Sequence, residues 1–320
     1  MKVLRILSLG AGVQSTTLAL MAAHGEIEPL DCAIFSDTQS EPKAVYAHLE
    51  RLRSALPFPV HVVSKGSLRQ ELIDASEGRR GAWARPPLFL RNPPKLVHDR
   101  RIVYDEHGDA MRDDDDKLIT EAIPGTERYI DGGLGMTRRQ CTQDYKLDVI
   151  RRKVRELAGV KRGSPGPRHI IVEQVIGISI DEARRQRESR CRWIEHAYPL
   201  VRKGITRAEC IEKLTTWGWL DVPKSACTFC PYHSDAMWAD MKANDPESFA
   251  DAVDIDNRLR TLNQHGQGNR LTTLRGQAFL HASRQPLHLV NFKTAVKRTP
   301  AERQLDFGLF SQECEGMCGV

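Results

Sequence analysis

Leu4 to Leu18, LRILSLGAGVQSTTL, decides the fold. An apolar run from Val3 to Leu9 breaks into Gly10-Ala11-Gly12, and Gln14-Ser15-Thr16-Thr17 then opens an apolar-periodic segment through Leu18, Leu20 and Met21. That order reads as a buried strand, a tight glycine turn and a helix start. Glycines let the backbone come close to a ligand, and first-turn amides have no partner within their own helix. Such a turn suits anions, phosphate above all. Gly-rich turns also open βα units that bind nothing, so the turn alone leaves both readings open.

Working outward, Leu30 to Phe35 (LDCAIF) reads as a second buried strand, followed by Asp37-Thr38-Gln39-Ser40-Glu41-Pro42. Pro42 belongs in the first turn of a helix running to about Leu56. Val60 to Ser64 and a helix from Ser67 complete a β-α-β-α-β series. The pattern predicts an α/β fold, a Rossmann-like parallel sheet flanked by helices, with ligands beyond the carboxyl ends of its strands. The segment Asp37 to Glu41 would then face the same crevice as the glycine turn. Acidic residues at a helix start also serve as plain caps.

Composition sets the bounds. The 320 residues can bury one large core with a smaller appended unit. No apolar run approaches the ~20 residues of a membrane span. The opening MKVLRILSLG enters a strand directly and lacks a small-residue cleavage site, so a cytoplasmic chain is expected. The 47 basic residues against 42 acidic ones give a net charge of +5, compatible with nucleic acid without requiring it. Eight cysteines in such a chain suit metal ligation or reactive thiols better than disulfides.

From Gly78 to about Thr137 the periodicity is lost, and an insertion is expected there. It holds two Pro-Pro pairs, the acidic run Asp113 to Asp116 and a Gly-rich end. Its Arg79, Arg80, Trp83, Arg85, Phe89 and Arg91 suit either nucleic-acid contact or a surface flap. Beyond it, Arg138-Arg139-Gln140-Cys141-Thr142 leads through Tyr145-Lys146 into a helix ending near Leu157. Ile170 to Ile180 reads as another buried strand, containing Gly177 and followed by Asp181 to Arg187.

After Thr206 the character turns helical. Cys227-Thr228-Phe229-Cys230-Pro231 carries the spacing by which two thiolates reach one metal, while Cys141, Cys314 and Cys318 supply further thiols. All-thiolate ligation suits zinc or an iron–sulfur cluster; a redox dithiol is the rival reading. The expected organisation is a nucleotide-binding α/β domain over 1–200 and a helical, cysteine-containing part over 201–320.

Taken in order, these stretches resemble the PP-loop ATP pyrophosphatases, in particular their phosphoadenosine phosphosulfate (PAPS) reductase-like branch. The family loop, Ser-Gly-Gly-x-Asp-Ser, corresponds to Gly10 through Ser15, with Gly12 and Ser15 matching and Gln14 in the place of the Asp. Asp37-Thr38 with Glu41, Arg139-Gln140-Cys141 with Tyr145-Lys146, Gly177-Ile178 with Glu182 and the following arginines, and Cys227 to Pro231 match the later motifs. The resemblance covers Met1 to about His233.

It implies ATP and Mg²⁺ held by Ser8, Gly10, Ala11, Gly12, Gln14, Ser15, Thr16, Asp37, Thr38, Glu41 and Gly177. Asp37, Arg184 and Arg185 would serve catalysis. A [4Fe–4S] cluster would sit on Cys141, Cys227 and Cys230, closed by Cys318 or left open at one iron, with zinc as the alternative. The implied activity is adenylation of a substrate oxygen for sulfur transfer to tRNA or DNA. A sulfur donor protein and an oligomer are compatible with it. The alternatives are a sulfonucleotide reductase using Cys314 or Cys318 and a nucleotide-binding module without catalysis.

Overall fold

The computed structural model describes residues 3–79, 81–265, 274 and 276–292. The chain opens β1 (Leu4–Leu9), α1 (Val13–Ala23), β2 (Cys32–Asp37), α2 (Lys43–Ala55), β3 (Val60–Ser64) and α3 (Leu68–Ser76), as its apolar pattern predicts. Ser67 caps α3 by accepting the Gln70 amide. The insertion then supplies β4 (Phe89–Arg91), β5 (Lys95–Val97), β6 (Arg100–Ile102), β7 (Thr120–Ala122), β8 (Arg128–Ile130) and β9 (Leu134–Met136).

Next comes one nearly continuous helix in three pieces: α4 (Gln140–Thr142), a π turn (Gln143–Leu147) and α5 (Asp148–Leu157). The expected strand from Ile170 to Ile180 is shorter. As β10 it spans Val172–Ile176, stops before Gly177, and gives way to a 3-10 turn, Ile180–Arg185. Then follow β11 (Ile194–Ala197), α6 (Pro199–Arg202), α7 (Arg207–Thr216), α8 (Asp235–Asn244), α9 (Pro246–His265) and β12 (Gln277–Phe279). A capping box closes α7, with Thr206 and Glu209 each bonding the other's backbone amide.

Five strands form one sheet in the order β11-β10-β1-β2-β3, every neighbouring pair parallel. The chain builds outward from β1 through β2 to β3, then returns to the other side of β1 for β10 and β11. The direction of winding therefore reverses between β1 and β10, where open α/β sheets leave a crevice beyond their strand ends. One sheet face, with Leu7, Leu9, Ala33, Phe35 and Val175, shares a core with α1, α2 and α7. The other, with Ile6, Cys32, Ile34 and Val172, packs on Ile150 and Val154 of α5.

A third core joins α3, the base of the insertion at Trp83, Ala84 and Leu88, Tyr145, Phe229, α8 and α9. The expected division at 200/201 thus falls inside packed structure, since α7 lies in the sheet's own core. The insertion is more regular than its sequence suggests. Strands β4, β9 and β12 make a small antiparallel sheet, and β5 with β8 and β6 with β7 form two-stranded pairs.

Candidate functional site

The glycine turn lies at the reversal point between β1 and β10, and every residue from Gly10 to Leu20 is buried. A helix start buried on all sides must satisfy its polar side chains internally, and this one does. The Ser15 hydroxyl accepts the Gly10 amide at 3.2 Å and reaches the Gly12 carbonyl at 3.3 Å. Thr16 Oγ1 lies 2.9 Å from His48 Nε2, and Thr17 donates to the Val13 carbonyl. On the neighbouring strands, the Gln174 amide donates to Ser8 Oγ at 2.8 Å.

The left-handed backbone position in the turn falls on Ala11, φ +58°, whereas Gly12 is extended at φ −100°. Gly177, at the end of β10, is pressed against α1. A Cβ there would come 2.9 Å from the Ser15 nitrogen and 3.2 Å from the Gln14 carbonyl carbon. Only glycine allows this approach of strand end to helix start.

Gln14 is tied into a buried polar network. Its Nε2 donates to Glu182 at 3.1 Å, and its Oε1 accepts from the Arg207 guanidinium at 2.7 Å. Arg185 pairs with Glu182, while Arg184 is exposed. Of the residues expected around a pyrophosphate, Gln14 and Arg185 are therefore linked through Glu182. Arg207 completes the network from 193 residues away, which no local pattern could have signalled.

On the β2 side, Asp37 accepts from the Tyr46 hydroxyl at 2.8 Å and from the Gln39 amide at 2.7 Å. Thr38 Oγ1 sits 3.2 Å from Cys227 Sγ and 3.5 Å from Glu41. Glu41 in turn forms a buried ion pair with Lys146 at 3.6 Å. Lys146 reaches it from the π turn, an irregularity often found at functional sites. Neighbouring Tyr145 donates to Glu71 at 2.7 Å, and Glu71 also accepts the Ala84 amide at 2.7 Å. The buried Glu71 thus knits α3, the insertion base and the π turn together, although in sequence it looks like any helix-surface glutamate.

These elements bring three cysteines to one place. Cys141, Cys227 and Cys230 line a cavity of about 30 Å³ with Thr38, Pro86 and Lys146. Burial, then the Glu41 carboxylate, pushes the Cys227 thiol well above its ordinary range. Among the described residues no three His, Cys, Asp or Glu side chains are grouped as a metal site. The chemistry of the donors, three thiols on one cavity, fits a thiolate-held centre. Cys32 in β2 and Cys210 in α7 are buried apart from this cavity, and Cys191 is half-buried beside Trp193's core. Cys314 and Cys318 lie outside the described residues.

His233 adds what the motif reading missed. Its Nε2–H donates to the Cys227 carbonyl at 2.9 Å, and its ring stacks on Trp238 with centroids 4.7 Å apart. Burial, then Lys224, lowers its pKa to about 3. No protein-family model matches the chain, and no curated protein matches it. Among the described residues no helix is long and apolar enough to cross a membrane.

Proposed function

We propose that the chain is a PP-loop-type ATP pyrophosphatase that adenylates an oxygen of a nucleic-acid substrate, tRNA or DNA, for replacement by sulfur. One observation carries the reading. A glycine turn lies at the reversal point of a parallel sheet, and Thr38, just after the adjacent strand, also lines a cavity with three cysteines. A nucleotide site and a sulfur site would then share one wall.

In this scheme the substrate oxygen attacks the α-phosphorus of ATP and pyrophosphate leaves. A sulfur nucleophile then displaces AMP. Backbone amides at Val13 to Ser15 would hold pyrophosphate, with Mg²⁺ and the nucleotide beside Asp37. Exposed Arg184 would neutralise charge developing on the phosphates. Cys141, Cys227 and Cys230 would hold the metal centre, zinc or [4Fe–4S], and when bound it would supply a place to carry sulfur.

A second reading has its own support. Gln14 and Arg185 are engaged with Glu182, and the turn is buried, which suits a module that binds nucleotide without turning it over. Incubation with ATP, labelled sulfide and bulk tRNA or DNA separates the two. Release of AMP and pyrophosphate with label in the nucleic acid supports transfer; binding without AMP supports the module. Sulfite released from an adenylylated sulfate would instead point to a reductase. In calorimetry, folded Gly12→Val should lose ATP affinity, because a branched side chain would stand where the phosphates approach.

A further inference from the structure

The charge of this chain is unevenly placed. From Arg151 to Arg207 fifteen basic residues stand against six acidic ones, whereas Asn92 to Thr137 of the insertion hold six against eleven. Within the insertion, moreover, Arg101, Arg112, Lys117 and Arg128 pair with Glu121, Asp116, Asp115 and Asp99. The positive excess belongs to the segments around β10 and β11.

A loop gathers it into a row. Neighbouring parallel strands are usually joined by a crossover helix, but after the 3-10 turn residues 186–193 return to β11 as irregular chain. The Arg187 carbonyl accepts the Tyr198 hydroxyl at 2.6 Å, just past the carboxyl end of β11, and lies 2.9 Å from His196 Nδ1. At the amino end the Trp193 carbonyl accepts the Ile171 amide at 3.1 Å. The loop therefore runs the length of β11, the edge strand of its sheet, about 10 Å at ~3.3 Å per residue. Arg187, Arg190 and Arg192 are exposed along it. Exposed Arg162 and Arg168 flank Gly166, which packs on the Trp193 indole at the amino end, and exposed Arg202 ends α6 at the other. None of these six arginines pairs with a carboxylate among the described residues. Glu188 is the acidic residue inside the row; Glu195 shares its strand face with Ala197, opposite to Ile194.

Exposed arginines without carboxylate partners suit phosphate oxygens. A single strand would need aromatic platforms among the cations, but Trp193 is buried and the Tyr198 hydroxyl is held by Arg187. Duplex RNA is recognised largely through its 2′-hydroxyls, yet the Ser189 hydroxyl in the row is spent on the Cys191 backbone. We propose that the β11 edge is the surface on which this protein grips the phosphate backbone of double-stranded DNA, while the acidic insertion takes no part in that grip. The proposal rests on the reading of a nucleic-acid substrate and adds where, and in what form, that substrate is held.

The test is fluorescence anisotropy of a short labelled DNA duplex with the full-length chain, without ATP and at stepped salt. Six phosphate contacts should give a slope of log affinity against log salt of about −5. The quadruple variant Arg162→Gln/Arg168→Gln/Arg190→Gln/Arg192→Gln should bind at least about tenfold more weakly, with a slope smaller by about 3–4. Its thermal unfolding and ATP binding should match the parent's. Arg101→Gln/Arg128→Gln, in the insertion, should leave duplex affinity unchanged. Parent-like binding by the quadruple variant, equal affinity for a single strand or an RNA duplex, or no duplex bound by the parent at low salt would each overturn the proposal. So would a change in sedimentation between parent and quadruple variant, which would give the surface to the acidic insertion of a second copy. A parent that grips duplex through these arginines yet releases no AMP would lose the adenylation reading and keep this surface. Label transfer undiminished in the quadruple variant at limiting DNA would do the reverse.

Discussion

Thr38 Oγ1 stands 3.2 Å from the Cys227 sulfur, across 189 residues of sequence. This contact fixes the Cys-x-x-Cys turn to the segment that follows β2, and a second bond, from the Thr228 amide to the Ser40 carbonyl at 2.8 Å, repeats the attachment. The carboxyl end of the sheet and the helical C-terminal part are thereby one piece of architecture at the point where chemistry is proposed.

The Glu41–Lys146 pair beneath that contact should be worth more intact than broken. Both side chains are almost wholly buried, and removing one partner of such a pair strands the other charge. Glu41→Gln or Lys146→Met should each lower stability by about 3–5 kcal/mol in urea unfolding. The double variant Glu41→Leu/Lys146→Met should recover a large part of that loss. A double variant no better than the sum of the single ones would mean that the two charges do not depend on each other.

Gly177→Ala should destabilise by about 1–3 kcal/mol, because the added methyl meets backbone atoms of α1 that have nowhere flexible to go. The same displacement would move the amides of the first turn, so ATP affinity should fall with it. An alanine variant with an unchanged unfolding midpoint and unchanged ATP binding would show that strand end and helix start do not need this approach.

How much of this was legible in the sequence follows from the range of the interactions. The β-α-β-α-β series was readable because β1 and β2 are largely buried apolar runs and glycine and proline punctuate the series, and Cys32–Asp37 falls within two residues of the expected Leu30 to Phe35. The insertion was not, since a strand such as Arg128–Ile130 is three residues long with every side chain exposed. An alternation of buried and exposed positions cannot appear in so short a piece. The π turn at Gln143–Leu147 was hidden inside an ordinary helical pattern. The meeting of Cys141 with Cys227 and Cys230 was suggested by family resemblance; no spacing rule reaches across it. Gln14 shows the opposite limit, because its position was clear but its partners Glu182 and Arg207 lie far along the chain.

Acid should weaken the fold through His48. Burial, with Arg51 nearby, holds its pKa down at about 4 from an ordinary 6.5, and its ring bonds Thr16 at the start of α1. Between those values the unfolded chain takes up a proton that the folded one refuses. Stability is therefore full above pH 6.5, declines as pH falls toward 4, and loses nothing further from this group below that. The whole effect is about 3 kcal/mol. His48→Gln, which can keep the bond to Thr16, should flatten this part of the profile in urea titrations at stepped pH. An unchanged slope in that variant would assign the acid sensitivity to other groups.

The three cysteines should behave as one centre. Two thiolates three residues apart leave a four-coordinate metal short of ligands, and Cys141 lines the same cavity. Protein purified anaerobically should contain zinc, or iron with acid-labile sulfide, and the elemental analysis decides which. Ser at Cys141, Cys227 or Cys230 should each lower the metal content, whereas Ser at Cys32, Cys191 or Cys210 should not. The Cys141 amide donates to the Arg85 carbonyl at 3.2 Å, so the helix start that carries this thiol is also the anchor of the insertion. Chelation should then speed proteolytic cutting near Arg85 in the parent protein and leave the already metal-poor Cys141→Ser variant unaffected. Full metal content in Cys141→Ser would reduce the centre to the Cys227–Cys230 pair. Chelator-dependent cutting in that variant would detach the insertion from it.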